Sequence, residues 1–243
     1  MEKGERIAKV IARSGICSRR DAEKLIEQGK VIVNGARITS PALNVSDEDV
    51  ITVNGKVLAE RETSRLWLYY KPVGLVTSHK DEKERPTVFG ALPKDMPRVI
   101  SVGRLDLNTE GLLLLTNDGA LARHMELPAT GWRRRYRVRI YGALTPESLE
   151  RLKKGVTVDG VKYGSIEVVA EETDKFSRNI WAKVTLTEGK NREIRKVFEH
   201  IGCTVSRLIR ISYGPFQLGS LKQSEVREVP GKMLKEQLGK VLK

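Results

Sequence analysis

The stretch Val102-Gly-Arg-Leu-Asp-Leu-Asn-Thr-Glu-Gly-Leu-Leu-Leu-Leu-Thr-Asn-Asp-Gly119 decides how the rest of the chain is read. Asp106 sits in a polar segment bounded by Gly103 and Gly111. Leu112 to Leu115 follow directly, an apolar run of strand length and too short for a core helix. Asn117-Asp118-Gly119 ends the run with a turn signal. A carboxylate at the mouth of a buried strand is held rigidly while staying within reach of a ligand. It can equally be the cap of a loop, so its role depends on what the remaining chain builds around it.

On the N-terminal side, Arg98 to Val102 reads as a strand, which places Asp106 between two strands. Further back, Leu66 to Tyr70 is an aromatic strand-like run that ends at Lys71-Pro72-Val-Gly74, where proline and glycine impose a loop. Thr77 to Pro86 is polar and charged. On the C-terminal side, Ala120 to Met125 forms a short helix capped by Asp118. In Trp132 to Tyr141, Tyr136, Val138 and Ile140 alternate with Arg135, Arg137 and Arg139. That is a strand with one buried and one cationic face, and Tyr136 points inward. Thr145-Pro-Glu opens a helix through Lys154. Strands are predicted over Tyr163 to Val169, Asn179 to Leu186 and Val205 to Ile211. Between the last two, Ile194, Val197, Phe198 and Ile201 give a helical stripe from Arg192 onward, and Arg195, between Ile194 and Val197, has a partly buried stem. Gly231 to Lys243 reads as a short basic helix. Gly214 and Gly219 have P-loop spacing but are followed by Ser-Leu, which excludes a nucleoside triphosphate loop.

The first sixty residues form a separate module. Arg6 to Ser14 has an amphipathic period ended by Gly15, and Ser18-Arg-Arg-Asp21 is a capping box opening a helix through Gln28. Val31 to Val33 is a strand, Asn34-Gly35 a hairpin turn, and Ala36 to Ile38 and Asp49 to Val53 are further strands. Arg6, Lys9 and Arg13 can share one helix face nearly free of acids. Arg19 and Arg20 sit at a helix N-terminus, which favours phosphate, and Lys24 follows one turn on. The polar stretch Ala59 to Arg65 has no period and reads as a linker. The expected organisation is therefore a module over 1–60, a linker over 61–65 and a larger domain over 66–243.

The 243 residues carry a net charge of +13, with 40% hydrophobic and 31% charged residues. Such a surplus favours a polyanionic partner, nucleic acid first. No apolar stretch approaches the ~20 residues of a membrane span, and Met-Glu-Lys-Gly-Glu-Arg lacks the apolar core of a secretion signal. Cys17 and Cys203 are far apart and suit a reducing interior. His79, His124 and His200 are equally scattered, which argues against a zinc site or a Cys–His nucleophile. A cytoplasmic, monomeric protein with no metal and no cofactor is expected.

Arg13-Ser-Gly-Ile-Cys-Ser-Arg-Arg-Asp-Ala-Glu-Lys-Leu-Ile together with Gly29-Lys-Val-Ile-Val-Asn-Gly35 resembles the RNA-binding module first seen in ribosomal protein S-four. Tyr70-Lys-Pro-Val-Gly74, Gly103-Arg-Leu-Asp106, Arg135-Tyr136 and Gly189-Lys-Asn-Arg-Glu-Ile-Arg195, in that order, closely resemble the rRNA pseudouridine synthases of the RsuA/RluB type. Arg104 to Thr116, Arg207-Leu-Ile-Arg-Ile and Tyr213-Gly-Pro are closer to the RluB branch, which acts on large-subunit rRNA. The resemblance implies an α+β fold: a small S4-like module joined to a catalytic domain with a mixed, mostly antiparallel sheet flanked by helices. It implies that Asp106 is the nucleophile that attacks the target uridine, so that the base detaches, turns and rejoins through carbon five. Tyr136 would lie against the flipped base and assist proton transfer, Arg195 would pair with Asp106, and Arg104 would fill the space the base vacates. Lys71 and Pro72 would shape the pocket wall beneath Tyr136, Leu208 would add apolar lining, and Lys190 and Arg192 would contact RNA. Arg6, Arg13, Arg19, Arg20 and Lys24 are the RNA-binding candidates of the module. Where relatives often carry lysine two places before the tyrosine, this chain has Arg134 and keeps the charge.

Elementary chemistry fits those roles. Exchanging a C–N for a C–C glycosidic bond needs an ionised carboxylate in a dry site, and a guanidinium nearby lowers a carboxyl pKa by ~1–3 units. Unstacking the uridine costs a few kcal/mol, which aromatic stacking and a wedge residue offset. Two other readings stay open: an RNA-binding ribosome-assembly factor that has kept the fold without the chemistry, and a nucleoside hydrolase, which would need a second carboxylate. Small-subunit rRNA is the alternative substrate for the same chemistry.

Overall fold

The computed structural model describes residues 4–59, 62–171 and 179–239. The chain divides into two compact units, Met1–Arg65 with Asp95–Ile100 and Asn117–Gly119, and Leu66–Lys94 with Ser101–Thr116 and Ala120–Lys243.

The first unit runs β1 (Glu5–Arg6), α1 (Ile7–Arg13), α2 (Arg19–Glu27), β2 (Val31–Val33), β3 (Ala36–Ile38), β4 (Asn44–Val45), β5 (Ile51–Val53) and β6 (Lys56–Val57). Helix α2 begins where Ser18 predicts it, because the Ser18 hydroxyl accepts the Asp21 N–H at 3.1 Å. Asn34 and Gly35 both have positive φ, the conformation a tight two-residue hairpin requires between β2 and β3. The sheet order is β3-β2-β5-β6, and Ile7, Ile11, Ala22, Ile26, Val31 and Val53 form its core with the two helices. The open cationic face, nearly free of acids, that is expected on the first helix is not found. Arg6 precedes the helix in β1 and its guanidinium donates to the Ala42 carbonyl. Glu5 takes both Lys9, at 2.5 Å, and Arg13, at 2.6 Å. Glu5 lies one turn before Lys9, just ahead of the helix, and so reaches both cations.

The second unit adds β7 (Leu66–Lys71), β8 (Ile100–Val102), β9 (Glu110–Thr116), α3 (Gly119–Glu126), β10 (Arg134–Tyr141), α4 (Pro146–Lys154), β11 (Val156–Val158), β12 (Val161–Tyr163), β13 (Glu167–Ala170), β14 (Asn179–Leu186), α5 (Glu193–His200), β15 (Thr204–Tyr213), β16 (Phe216–Gln217), β17 (Val226–Glu228) and α6 (Gly231–Leu238). Nine strands make one sheet of order β13-β14-β10-β15-β9-β7-β17, with β16 on β15 and β8 on β9. Along that order every pair is antiparallel except β9 with β15. The expected α+β class with a mixed, mostly antiparallel sheet is the one observed.

Every residue of β9 is buried, so the leucine run is continuous instead of alternating, as a strand covered on both faces requires. Strand β10 alternates strictly, with Tyr136, Val138 and Ile140 inside and Arg135, Arg137 and Arg139 outside. The single strand expected over Tyr163 to Val169 is two strands, because the Gly164 N–H turns to the Glu188 carboxylate at 2.6 Å. The predicted C-terminal helix ends at Leu238, and residues 240–243 lie outside the described ones. Among the described residues no helix is long and apolar enough to cross a membrane.

Candidate active site

A cleft of about 560 Å³ opens within the second unit. Its walls are the 103–109 loop, the inward faces of β10 and β15, and the turn that leads into α5. Asp106, Arg104, Tyr136, Leu208, Lys190 and Arg192 all line it, so one space receives residues as far apart in the chain as Arg104 and Leu208. Tyr136 reaches the cleft because its neighbours on β10 point the other way.

The loop that carries Asp106 is held along its whole length. The Gly103 N–H donates to Glu126 Oε1 at 2.7 Å, and Thr77 Oγ1 donates to the Leu105 carbonyl at 2.8 Å. The Gly74 N–H donates to the Leu107 carbonyl at 2.9 Å. Lys71 is wholly buried, and its Nζ donates to the carbonyls of Pro72, Asp106 and Thr109 at 3.0, 3.1 and 2.9 Å. Three carbonyls therefore match three ammonium hydrogens. Burial lowers the Lys71 pKa to about 8, against the opposing pull of Asp106 and Glu110. This corrects the expected part of Lys71 and Pro72: neither lines the cleft, and Lys71 instead anchors the backbone of the nucleophile candidate from below.

Arg195 is also placed differently from the expectation of a direct pair with Asp106. Its Nη1 donates to the Val205 carbonyl at 2.8 Å and its Nη2 to the Asn108 carbonyl at 2.9 Å, so it grips the Asp106 loop two residues downstream. Burial and the Arg192 charge lower its pKa, while Asp106 pulls it up. The influence on Asp106 thus runs through the field and the loop. The buried Nε of Arg195 has no hydrogen-bond partner.

Thr109, Glu193 and Arg210 line the cleft and escaped the sequence reading. Glu193 is buried at the start of α5, where its Oε2 accepts the Lys190 N–H at 2.8 Å. Burial, and then Glu188, push its carboxyl pKa up to about 7. Lys190 itself pairs with Glu188 and donates to the Lys162 carbonyl at 2.7 Å. Arg210 is buried on β15, donates Nε to the Leu112 carbonyl at 2.7 Å, and leaves Nη2 without a partner. Thr109 Oγ1 and Glu193 Oε1 are likewise buried and unpartnered on the cleft wall. Arg134 is buried and donates Nη2 to the Tyr213 hydroxyl at 2.9 Å. A strand alternation that puts Leu208 inward also puts Arg210 inward, and that was the available signal. Among the described residues no group of three His, Cys, Asp or Glu side chains is placed to hold a metal.

Residues 65–200 match the family model described as RNA pseudouridylate synthase. The chain belongs to that family. Residues 5–51 of the synthase match the S4 domain. It is 53% identical to a Rickettsia bellii protein named uncharacterized RNA pseudouridine synthase, over 95% of this chain and 99% of the relative. A Buchnera aphidicola protein named ribosomal large subunit pseudouridine synthase B is 39% identical over 86% of each. Among solved structures, one titled as a pseudouridylate synthase superposes with a TM-score of 0.66 at 26% identity, over 95% of this chain and 98% of its own. The resemblance to the RsuA/RluB type read from the motifs therefore holds, as does an S4-type module ahead of a pseudouridine synthase fold.

Proposed function

We propose that the synthase converts one uridine of large-subunit ribosomal RNA to pseudouridine, with Asp106 as nucleophile on a flipped-out nucleotide. The observation that carries this reading is the meeting in one cleft of Tyr136, on β10, and Asp106, on a loop held by Lys71, Thr77 and Arg195. A carboxylate fixed before the substrate arrives spends no free energy on reorganisation during reaction. Asp106 bonds to the ribose carbon as the C1′–N1 bond breaks, and the electron pair leaves with the ring. The uracil turns against Tyr136 and its carbon five displaces the carboxylate. The proton on carbon five is lost and N1 gains one, so no redox change occurs. Arg104, exposed at the rim, fills the gap in the RNA stack. Arg192 and the exposed cations Arg20 and Lys24 of the S4 domain hold phosphates. The name carried by the Buchnera relative, ribosomal large subunit pseudouridine synthase B, supports the large-subunit part of the reading.

The experiment is tritium release from rRNA labelled at carbon five of uridine. Asp106→Asn abolishes release while RNA binding persists. Undiminished release from that variant would overturn the assignment. A wild-type protein that binds rRNA yet leaves every uridine unmodified would favour a non-catalytic assembly factor.

A further inference from the structure

The arginines on the outer face of β10 have no part in the cleft, because they point away from Tyr136. Their cross-strand neighbours make them costly. Arg137 lies directly opposite Lys183 of β14, and Arg139 directly opposite Arg207 of β15. Like charges facing each other across strands destabilise a sheet. Part of that cost is offset locally. Arg137 pairs with Glu171 at 2.8 Å and stacks on the Trp181 ring at 4.3 Å, and Arg207 pairs with the buried Glu110 at 2.6 Å. Arg135, Arg139 and Lys183 remain exposed and make no ion pair among the described residues. A sheet that keeps such repulsion at its surface is shaped for a polyanion. Alternate residues of one strand stand about 6.6 Å apart, close to the step between successive phosphates of a nucleic acid strand.

We propose that this outer sheet face is a second RNA-binding surface, which holds the phosphates of substrate RNA outside the segment that enters the cleft. It rests on the reading that RNA is the substrate and adds where the RNA's flanking parts lie. The test compares two full-length triple variants of equal net charge. One is Arg135→Gln, Arg139→Gln and Lys183→Gln. The other removes three exposed lysines elsewhere on the same unit, by Lys153→Gln, Lys154→Gln and Lys232→Gln. The probe is an RNA stem-loop with long single-stranded arms, and its Kd is measured across a salt series. The face variant lowers the slope of log Kd against log salt by about 2 to 3, the amount expected for three lost phosphate contacts. The control variant changes it by much less. Equal changes in the two variants, or none in either, overturn the proposal. As a second measurement, trimming the arms lowers the slope for wild type and control but leaves the face variant unaffected. A drop of the same size in all three proteins also overturns it. The readout is binding, so a failure here is distinct from a failure of the isomerase assignment, which turnover alone decides.

Discussion

A lysine with no exposed surface is costly unless its three hydrogens are all placed, and Lys71 places them on three carbonyls, one of them that of Asp106. Its pKa of about 8, lowered by burial, makes the arrangement sensitive to pH. Above that value a neutral amine has only two hydrogens for three carbonyls, and the Asp106 loop loses one tether. Turnover of the wild type is therefore expected to decline as pH rises through about 8. Stability moves the other way. The folded pKa lies below the unfolded value of 10.5, so between about 8 and 10.5 the unfolded chain binds more protons and this group's contribution to stability rises with pH. Denaturation and turnover measured side by side from pH 7 to about 10 check both signs, and Lys71→Met removes both dependences. The type of residue at position 71 was legible in the Lys-Pro-Val-Gly loop signal. Its burial was not, because two of the three carbonyls that justify it come from residues 35 and 38 positions away.

Strand β9 shows how far a local pattern reaches. The Leu112 to Leu115 run predicts a strand covered on both faces, and the turn signal after it predicts where the strand ends. What no local pattern conveys is the parallel contact between β9 and β15, where Arg210 of β15 comes beside Gly111. Gly111 has φ of 102°, and a Cβ there would stand 2.4 Å from the Arg210 carbonyl oxygen and 2.8 Å from its nitrogen. Both are backbone atoms that cannot swing aside. Gly111→Ala is expected to destabilise the protein by at least about 2 kcal/mol and to shift Asp106 and Arg210 together. Chemical denaturation measures the first effect and loss of tritium release the second. A fully stable and active variant would show that the two strands separate freely at this point. Strand β10 is the opposite case, since its alternation alone places Tyr136 inward and three arginines outward.

For the whole molecule the surplus of +13 is the dominant property, and the structure distributes it unevenly. In the S4 domain Glu5 occupies Lys9 and Arg13, and Arg19 lies 3.6 Å from Glu23. Arg20 and Lys24 are the exposed cations best placed for phosphate. Replacing both by glutamine in the full-length chain is expected to reduce the salt slope of RNA binding by about 1.4 to 1.8. An unchanged slope would remove these two residues from the interface.

The sequence by itself determined that there are two parts, one an RNA-binding module and the other a mixed sheet. It also offered Asp106 and Tyr136 as candidates, which the cleft brings together. Those properties depend on composition, on caps and turns, and on the period of one strand or helix, all of which are local. Only the tertiary structure decided that Lys71 lies under the Asp106 loop and that Arg195 holds the loop by Asn108. It also decided that Arg210 brings an unpartnered N–H to the cleft wall, and that β14 and β15 set Lys183 and Arg207 against the arginines of β10. The reason is physical: a hydrogen bond or a charge pair takes its value from whatever atom stands opposite, and here that atom comes from a distant part of the chain.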